Sequence, residues 1–181
     1  MGQDKAFLDV EGAPLISRVA EAVVKAAGSV TLIGDPGKYA NLGYPIEEDE
    51  YKSCGPLAGI HKALSVTPAD WNLIVACDMP ELEPQFLGDL MAKAERSNPD
   101  CLLPEGKRGL EPLCAVYHRR AEAQIRKALE SGVKKVLEGL SALRVEVIQV
   151  PIRNQFRNVN TPEDWQRYRN SQTNKTRPDR D

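Results

Sequence analysis

The sequence lacks closely spaced cysteines and clustered histidines. Neither histidine, His61 or His118, lies near the other in sequence. No Cys-x-x-Cys pair occurs, which argues against a zinc ribbon. The wide spacing and the absence of a secretory leader predict reduced thiols in a cytoplasmic protein. The cysteines are Cys54, Cys77, Cys101 and Cys114.

The sequence also lacks a long apolar run and an excess of charge. No segment approaches the roughly 20 apolar residues that a transmembrane helix needs, so we expect no membrane span. The formal net charge of -2 argues against a nucleic-acid or acidic-membrane partner, and an anionic substrate would need a local site. The 181 residues, 41% of them hydrophobic, are enough for one domain with a full core.

The remaining pattern alternates helices with strands. Apolar residues at helical spacing predict helices at residues 15–27, 56–64, 84–94, 119–131, 135–140 and 161–169. Short apolar runs predict strands at residues 30–33, 45–47, 71–77, 101–103, 112–117 and 145–150. This order predicts an α/β domain over residues 1–169, with helices on both faces of a mostly parallel sheet and residues 71–76 central. The polar residues 170–181 are expected to be a disordered tail.

Asp78 directly follows the longest apolar strand, in the segment Cys77-Asp78-Met79-Pro80. Ligands bind at the carboxyl ends of strands in open α/β sheets. A carboxylate there suits Mg²⁺ that is shared with nucleotide phosphates. The alternative is an aspartate that only caps a turn or a helix.

Three other segments could contribute to a site. The segment Gly55-Pro56-Leu57-Ala58-Gly59 opens a helix, whose amino terminus favours a bound anion, or it is an ordinary loop junction. Lys5 could neutralise a phosphate, or it is an exposed lysine. Asn158 and Asn160 project to the same side of an extended segment and could bind a heterocycle edge. Thr161 is expected to cap the following helix in either case.

Together these motifs resemble the molybdenum cofactor guanylyltransferases (MobA). The family's Met-Gly-x-Asp-Lys matches residues 1–5, Gly-Pro-Leu-Ala-Gly matches 55–59, Cys-Asp-x-Pro matches 77–80, and Asn-Val-Asn-Thr-Pro-Glu matches 158–163. The motifs occur in the family's order over residues 1–169. The resemblance implies a three-layer, Rossmann-like nucleotidyltransferase fold.

The resemblance also implies a reaction and a set of site residues. GMP from GTP would be joined to molybdopterin or Mo-molybdopterin with Mg²⁺ as cofactor, and pyrophosphate would be released. Other cofactor-biosynthesis proteins and recipient molybdoenzymes are possible protein partners. Lys5 and Asp78 would be catalytic, and Asp78 would hold the metal. The implied binding residues are Lys5, Asp49 (or Glu48), Gly55, Pro56, Leu57, Gly59, Asp78, Asn158, Asn160 and, as the weakest matches, Glu111 and Pro112.

The sequence departs from the family at its beginning. The first strand and the Leu-Ala-Gly-Gly phosphate loop of the family are missing. Either the true start lies upstream, or the chain is a shortened and inactive form; we favour the first because every later motif is intact. The alternative functions are a cytidylyl- or sugar-nucleotide transferase, and a non-catalytic module that binds molybdopterin or a partner.

Overall fold

The computed structural model describes residues 4–51, 54–150, 156–159 and 161–175. The helices are α1 (Leu15–Ala27), α2 (Pro36–Tyr39), α3 (Pro56–Val66), α4 (Pro84–Ser97), α5 (Glu122–Glu130), α6 (Val136–Gly139) and α7 (Pro162–Lys175). The strands are β1 (Asp9–Val10), β2 (Ala13–Pro14), β3 (Leu32–Ile33), β4 (Ile46–Glu47), β5 (Trp71–Val75), β6 (Cys101–Gly106), β7 (Gly109–Leu110), β8 (Cys114–His118) and β9 (Val145–Gln149). The short β1–β2 hairpin, α2 and β7 were not predicted from the sequence.

The long helices begin and end where local sequence signals place them. At the end of α1, Gly28 adopts φ 82°, and its N–H donates to the Val24 carbonyl. At the start of α7, the Thr161 hydroxyl accepts from the Asp164 N–H at 3.1 Å, and the Asp164 carboxylate accepts from the Thr161 N–H at 3.0 Å. This reciprocal capping box fixes the start of α7, as the sequence predicted.

The predicted end of the last helix at residue 169 is wrong. Helix α7 continues to Lys175, so residues 170–175 are helical and not part of a disordered tail. A capped helix gains one hydrogen bond for each added residue, so polar residues with no apolar period can extend it. Residues 176–181 of the predicted tail lie outside the described residues.

Two helical layers enclose a five-stranded sheet. Strand β8 lies between β5 and β6, and β6 also pairs with β7 and β9. Leu102 and Val116 pack towards α4 on one face of the sheet. Leu103 and Tyr117, one residue further along each strand, pack towards α3 and α5 on the other face. The alternation confirms the three-layer α/β architecture expected from the sequence.

The sheet is mixed, in contrast to the mostly parallel sheet that was predicted. β6–β9 and β3–β4 are parallel pairs, whereas β5–β8, β6–β8 and β6–β7 are antiparallel. The predicted central position of residues 71–76 is also wrong, because β5 lies at the edge of the five-stranded sheet. An apolar run identifies a buried strand but carries no information on its direction or its neighbours.

A slot separates β5 from the parallel pair β3–β4. It has a volume of about 540 Å³ and is lined by β3 and β5 at its sides and by α1 and α3 above and below. The Leu32 and Gly34 N–H groups donate to Pro45, just before β4, and to Glu47 in β4. The Ala76 N–H donates to Leu113 beside β8. Because successive amides of a strand point to opposite edges, alternate backbone groups such as those of Ile33 and Leu73 face the slot. All five residues of β5 are only half-buried for this reason.

No helix within the described ranges is long and apolar enough to cross a membrane.

Candidate active site

Asp78 stands in the turn at the carboxyl end of β5. One of its carboxylate oxygens, Oδ1, is buried and has no hydrogen-bond partner among the described residues. Burial raises the pKa of the Asp78 carboxyl, while a backbone hydrogen bond and the charge of Lys5 act in the opposite direction. A buried acceptor without a donor is costly, so this oxygen is suited to a ligand that supplies positive charge.

Lys5 lies close enough to Asp78 to influence it. It begins a single 3-10 turn, Lys5–Phe7, whose cap is Asp4. The positive charge of Lys5 favours the ionised forms of both Asp78 and Cys77 and so lowers the pKa of each. For Cys77 burial outweighs this effect and raises the thiol pKa to about 11. The structure therefore places within electrostatic range of each other the lysine and the aspartate that the resemblance implied to be catalytic.

The segment before α7 closes against the same turn. The Val159 N–H donates to the Asp78 carbonyl at 2.9 Å, which places Asn158 beside Asp78. The Asn158 Oδ1 atom is buried and, within the described chain, has no hydrogen-bond partner. Asn160 lies outside the described residues.

Two glutamates extend the acidic side of the site. Burial raises the pKa of the Glu111 carboxyl, the Arg108 charge lowers it, and the Asp78 charge raises it, which places Glu111 in electrostatic range of Asp78. Glu81 has a buried Oε2 without a partner among the described residues. The resemblance implied Glu111 only as a weak match, and Glu81 was not predicted, although it directly follows the Cys-Asp-Met-Pro motif.

The Gly55–Gly59 segment opens α3, as predicted. Gly55 has φ 70°, a left-handed conformation that favours glycine. Gly55 and Pro56 are exposed, whereas the Leu57 side chain is fully buried in the core. Any contact of Leu57 with a ligand would therefore use its backbone. Gly59 lines the slot.

Asp49 follows β4, and its Oδ1 accepts from the Tyr51 N–H at 2.9 Å. This bond closes a turn over residues 49–51. Binding roles for Asp49 and the 55–59 segment stay predictions from the resemblance.

The two histidines lie away from Asp78. His61 is buried, and its Nε2 is 2.9 Å from Glu122 Oε1, so it links α3 to α5. His118 ends β8, and its ring contacts Trp71 at the opposite end of β5, with centroids 4.7 Å apart. Neither is part of the candidate site.

The oxygen atoms around Asp78 fit a divalent cation that is also bound by a substrate. Asp78 and Asn158 both present buried acceptor oxygens without protein donors. No cluster of three or more metal-binding side chains occurs in the part of the chain that is described. Mg²⁺ is commonly held by one or two carboxylates together with substrate phosphates, and this arrangement matches that pattern.

Comparison with known proteins tests the resemblance to a family. The family model described as a MobA-like NTP transferase domain matches residues 1–146. The chain is 32% identical over 169 residues to a probable molybdenum cofactor guanylyltransferase of Nostoc sp., covering 91% of this chain and 82% of that protein. It is 30% identical over 174 residues to the molybdenum cofactor guanylyltransferase of Desulfosudis oleivorans, covering 92% and 86%.

Solved structures show the same fold. Molybdopterin-guanine dinucleotide biosynthesis protein A from Archaeoglobus fulgidus superposes with a TM-score of 0.79 at 27% identity, covering 96% of this chain and 92% of that one. A 2-C-methyl-D-erythritol 4-phosphate cytidylyltransferase from Thermus thermophilus superposes with a TM-score of 0.72 at 16% identity, covering 93% and 94%. The resemblance inferred from the motifs is confirmed: this chain belongs to the MobA-like NTP transferase family and is a nucleotidyltransferase.

Proposed function

We propose that this protein transfers GMP from GTP to molybdopterin or Mo-molybdopterin, giving the guanine dinucleotide and pyrophosphate. The observation that carries the proposal is the unpartnered, buried Asp78 oxygen beside the charge of Lys5. Relatives named as molybdenum cofactor guanylyltransferases, about 30% identical over about nine-tenths of the chain, support the choice of substrates.

The reaction is an in-line displacement at the α-phosphorus of GTP. A phosphate oxygen of molybdopterin forms the new P–O bond, and the bond to the β-phosphate breaks to release pyrophosphate. Little covalent chemistry falls to the protein, which must align the two phosphates and neutralise the charge that develops between them.

Each site residue has a role in this scheme. Lys5 neutralises charge on the phosphates in the transition state. Asp78, with the Asn158 amide oxygen, would hold Mg²⁺, which would supply positive charge to polarise the reacting phosphoryl group. By resemblance, Asp49 and the Gly55–Gly59 segment face the nucleotide, and Asn158, Asn160 and Glu111 face molybdopterin.

We further propose that the slot between β3 and β5 accepts one additional apolar strand. Both edges of the slot present backbone groups, as an inserted strand requires. Ala6, Leu32 and the partly buried Cys77 belong to one cluster, so the Lys5 turn lies near the carboxyl ends of β3 and β5. A strand running parallel to β5 would therefore end beside Lys5 and Asp78 and could lead into a phosphate-binding loop.

A panel of nucleotides tests the function. The purified full-length polypeptide is incubated with molybdopterin, Mg²⁺ and one of GTP, CTP, ATP or UTP, and dinucleotide and pyrophosphate are quantified. We expect product with GTP in large excess over the others. Turnover of CTP, or of a sugar phosphate in place of molybdopterin, would favour another nucleotidyltransferase. Binding of molybdopterin without turnover would favour a non-catalytic module.

A further inference from the structure

The turn that carries Lys5 is held in place by Asp4. One Asp4 oxygen, Oδ1, accepts from the Ala6 N–H at 3.1 Å and so caps the turn. The other oxygen, Oδ2, accepts from the Tyr39 hydroxyl at 2.9 Å and lies 4.0 Å from the Lys38 ammonium. The carboxylate therefore connects the Lys5 turn to helix α2, which is more than thirty residues away in sequence.

The Tyr39 ring is itself held in place by packing. It stacks on Phe7, with centroids 5.7 Å apart and planes inclined by 25°. The Tyr39 ring also lies close to Gly34: a Cβ atom built on Gly34 would be 2.9 Å from the ring. The ring also packs on the cluster of Ala6, Ile16 and Leu32. The hydroxyl is thus aimed at Asp4 by packing that does not depend on the hydrogen bond.

The contacts of Asp4 and Tyr39 given above lead to Lys5 and not to Asp78. Their effect on the site therefore passes through Lys5, which follows Asp4 and whose charge reaches both Asp78 and Cys77. A flexible lysine stabilises a transition state only as far as its backbone is held at the correct distance, since a misplaced charge loses much of its effect.

We propose that Tyr39, acting through Asp4, is a positioning residue that holds the Lys5 turn against the phosphate site. The proposal rests on the proposed function for its effect on turnover. Tyr39 belongs to none of the motifs by which the site was identified.

The test is Tyr39→Phe in the full-length polypeptide, with Tyr44→Phe as the matched control. Tyr44 packs on the same cluster but has no place in the Asp4 contacts described here. We expect Tyr39→Phe to lower kcat for guanylyl transfer about fivefold, as for the loss of one hydrogen bond, with KM for GTP changed less than about twofold. Tyr44→Phe should leave both constants unchanged.

A double-mutant cycle separates positioning from general stability. If Tyr39 acts through Lys5, Tyr39→Phe should cause no further loss in a Lys5→Ala background. An equal loss in both backgrounds would overturn the proposal. Hydrogen exchange of the Ala6 amide provides a readout without turnover: we expect faster exchange in Tyr39→Phe than in Tyr44→Phe. If the wild type transfers no nucleotide, the proposed function is wrong, and unchanged Ala6 exchange would separately disprove the positioning.

Discussion

Two aspartates lie at opposite ends of the sheet's strands and have opposite environments. These two ends are named the Asp78 edge and the Asp100 edge. Asp100 precedes β6 and accepts from Arg120 Nε at 2.7 Å, from an Arg144 guanidinium nitrogen at 2.8 Å and from the Arg144 backbone N–H at 3.0 Å. The hydrogen bond from Arg144 is the largest of several effects that hold the Asp100 pKa well below its usual range. Asp78 has a raised pKa and a buried oxygen without a donor in the described chain.

The difference separates a structural carboxylate from one that is prepared for a ligand. At the Asp100 edge the protein supplies its own cations and donors, so the strand ends of β6, β8 and β9 are joined without a ligand. At the Asp78 edge, buried oxygens of Asp78 and Asn158 have no donor in the described chain, as the proposed metal and substrate site requires. Perturbed pKa values occur in both situations, and only the direction of the shift and the presence of partners distinguish them.

Replacement of Asp78 should reveal the largest difference between the two edges, because it should affect activity and hardly affect stability. We expect Asp78→Ala to reduce guanylyl transfer by about a thousandfold or more, because a metal ligand is lost at the reacting phosphates. The melting temperature should change little, since the buried Oδ1 has no donor in the described chain and burial already opposes ionisation of this carboxyl. The assay is dinucleotide formation from GTP and molybdopterin, with thermal melting in parallel. Retained activity at ordinary Mg²⁺ concentrations would contradict the assignment.

An added strand that fills the slot should change ligand binding at the Asp78 edge and leave the Asp100 edge unaffected. We expect the 181-residue chain to bind GTP poorly, and an added upstream segment containing Leu-Ala-Gly-Gly to improve affinity at least about tenfold. A phosphate loop supplies several backbone donors, whereas Lys5 alone offers one charge. The inserted strand should also raise the melting temperature and reduce aggregation, since exposed strand edges would be paired.

Calorimetric titration of both forms with GTP and Mg²⁺ decides this point. A segment of equal length and scrambled sequence, which keeps the added mass but removes the apolar strand, is the control. Equal affinity of the 181-residue and extended forms would mean that the phosphates bind elsewhere.

Loss of the Asp100 charge should lower stability and leave activity unchanged, which is the reverse of the result expected for Asp78→Ala. We expect Asp100→Asn to lower the free energy of unfolding by about 1–2 kcal/mol, a discounted value because its arginine partners are largely exposed to solvent. Transfer activity at a temperature well below the melting transition should be unchanged. Urea denaturation and the same dinucleotide assay measure both quantities, and a loss of activity without a loss of stability would invalidate the comparison.

The pH dependence of stability should differ in sign between the two carboxyls. The Asp100 pKa is lowered by folding, so its contribution is present above the unfolded value near 4 and is lost as the pH falls below it. The Asp78 pKa is raised by folding, so its ionisation destabilises the free protein, and stability is recovered as the pH falls through the raised pKa.

Between about pH 6 and about pH 3, Asp100→Asn should therefore lose less stability than the wild type, and Asp78→Ala should lose more. Urea denaturation at a series of pH values measures the effect, and parallel curves for all three proteins would show that neither carboxyl shifts on folding.

Local patterns predicted much of the fold. Gly28, Pro84 and the Thr161–Asp164 capping box mark helix ends by backbone chemistry that depends on a few neighbouring residues, and these were placed correctly. The position of β5 was not, because its apolar residues are the same whether the strand is central or borders a slot. Its neighbours are set by chain segments far away in sequence, which periodicity does not report.

The residues of the candidate site also divide into those that local sequence predicts and those that it does not. Asp78 could be predicted because a strand's carboxyl end is a local feature with a general binding role. Tyr39 and Glu81 could not, since their importance depends on contacts to Asp4 and on burial, and neither is encoded near them in the sequence.

The raised thiol pKa of Cys77 has a practical consequence for labelling and oxidation. With a pKa of about 11, the side chain next to Asp78 is almost entirely in the unreactive thiol form at neutral pH. Maleimides and hydrogen peroxide attack the thiolate, so they should spare this position even though it adjoins the proposed phosphate site. Burial and the nearby carboxylates of Asp78 and Asp4 thus make Cys77 resistant to electrophiles.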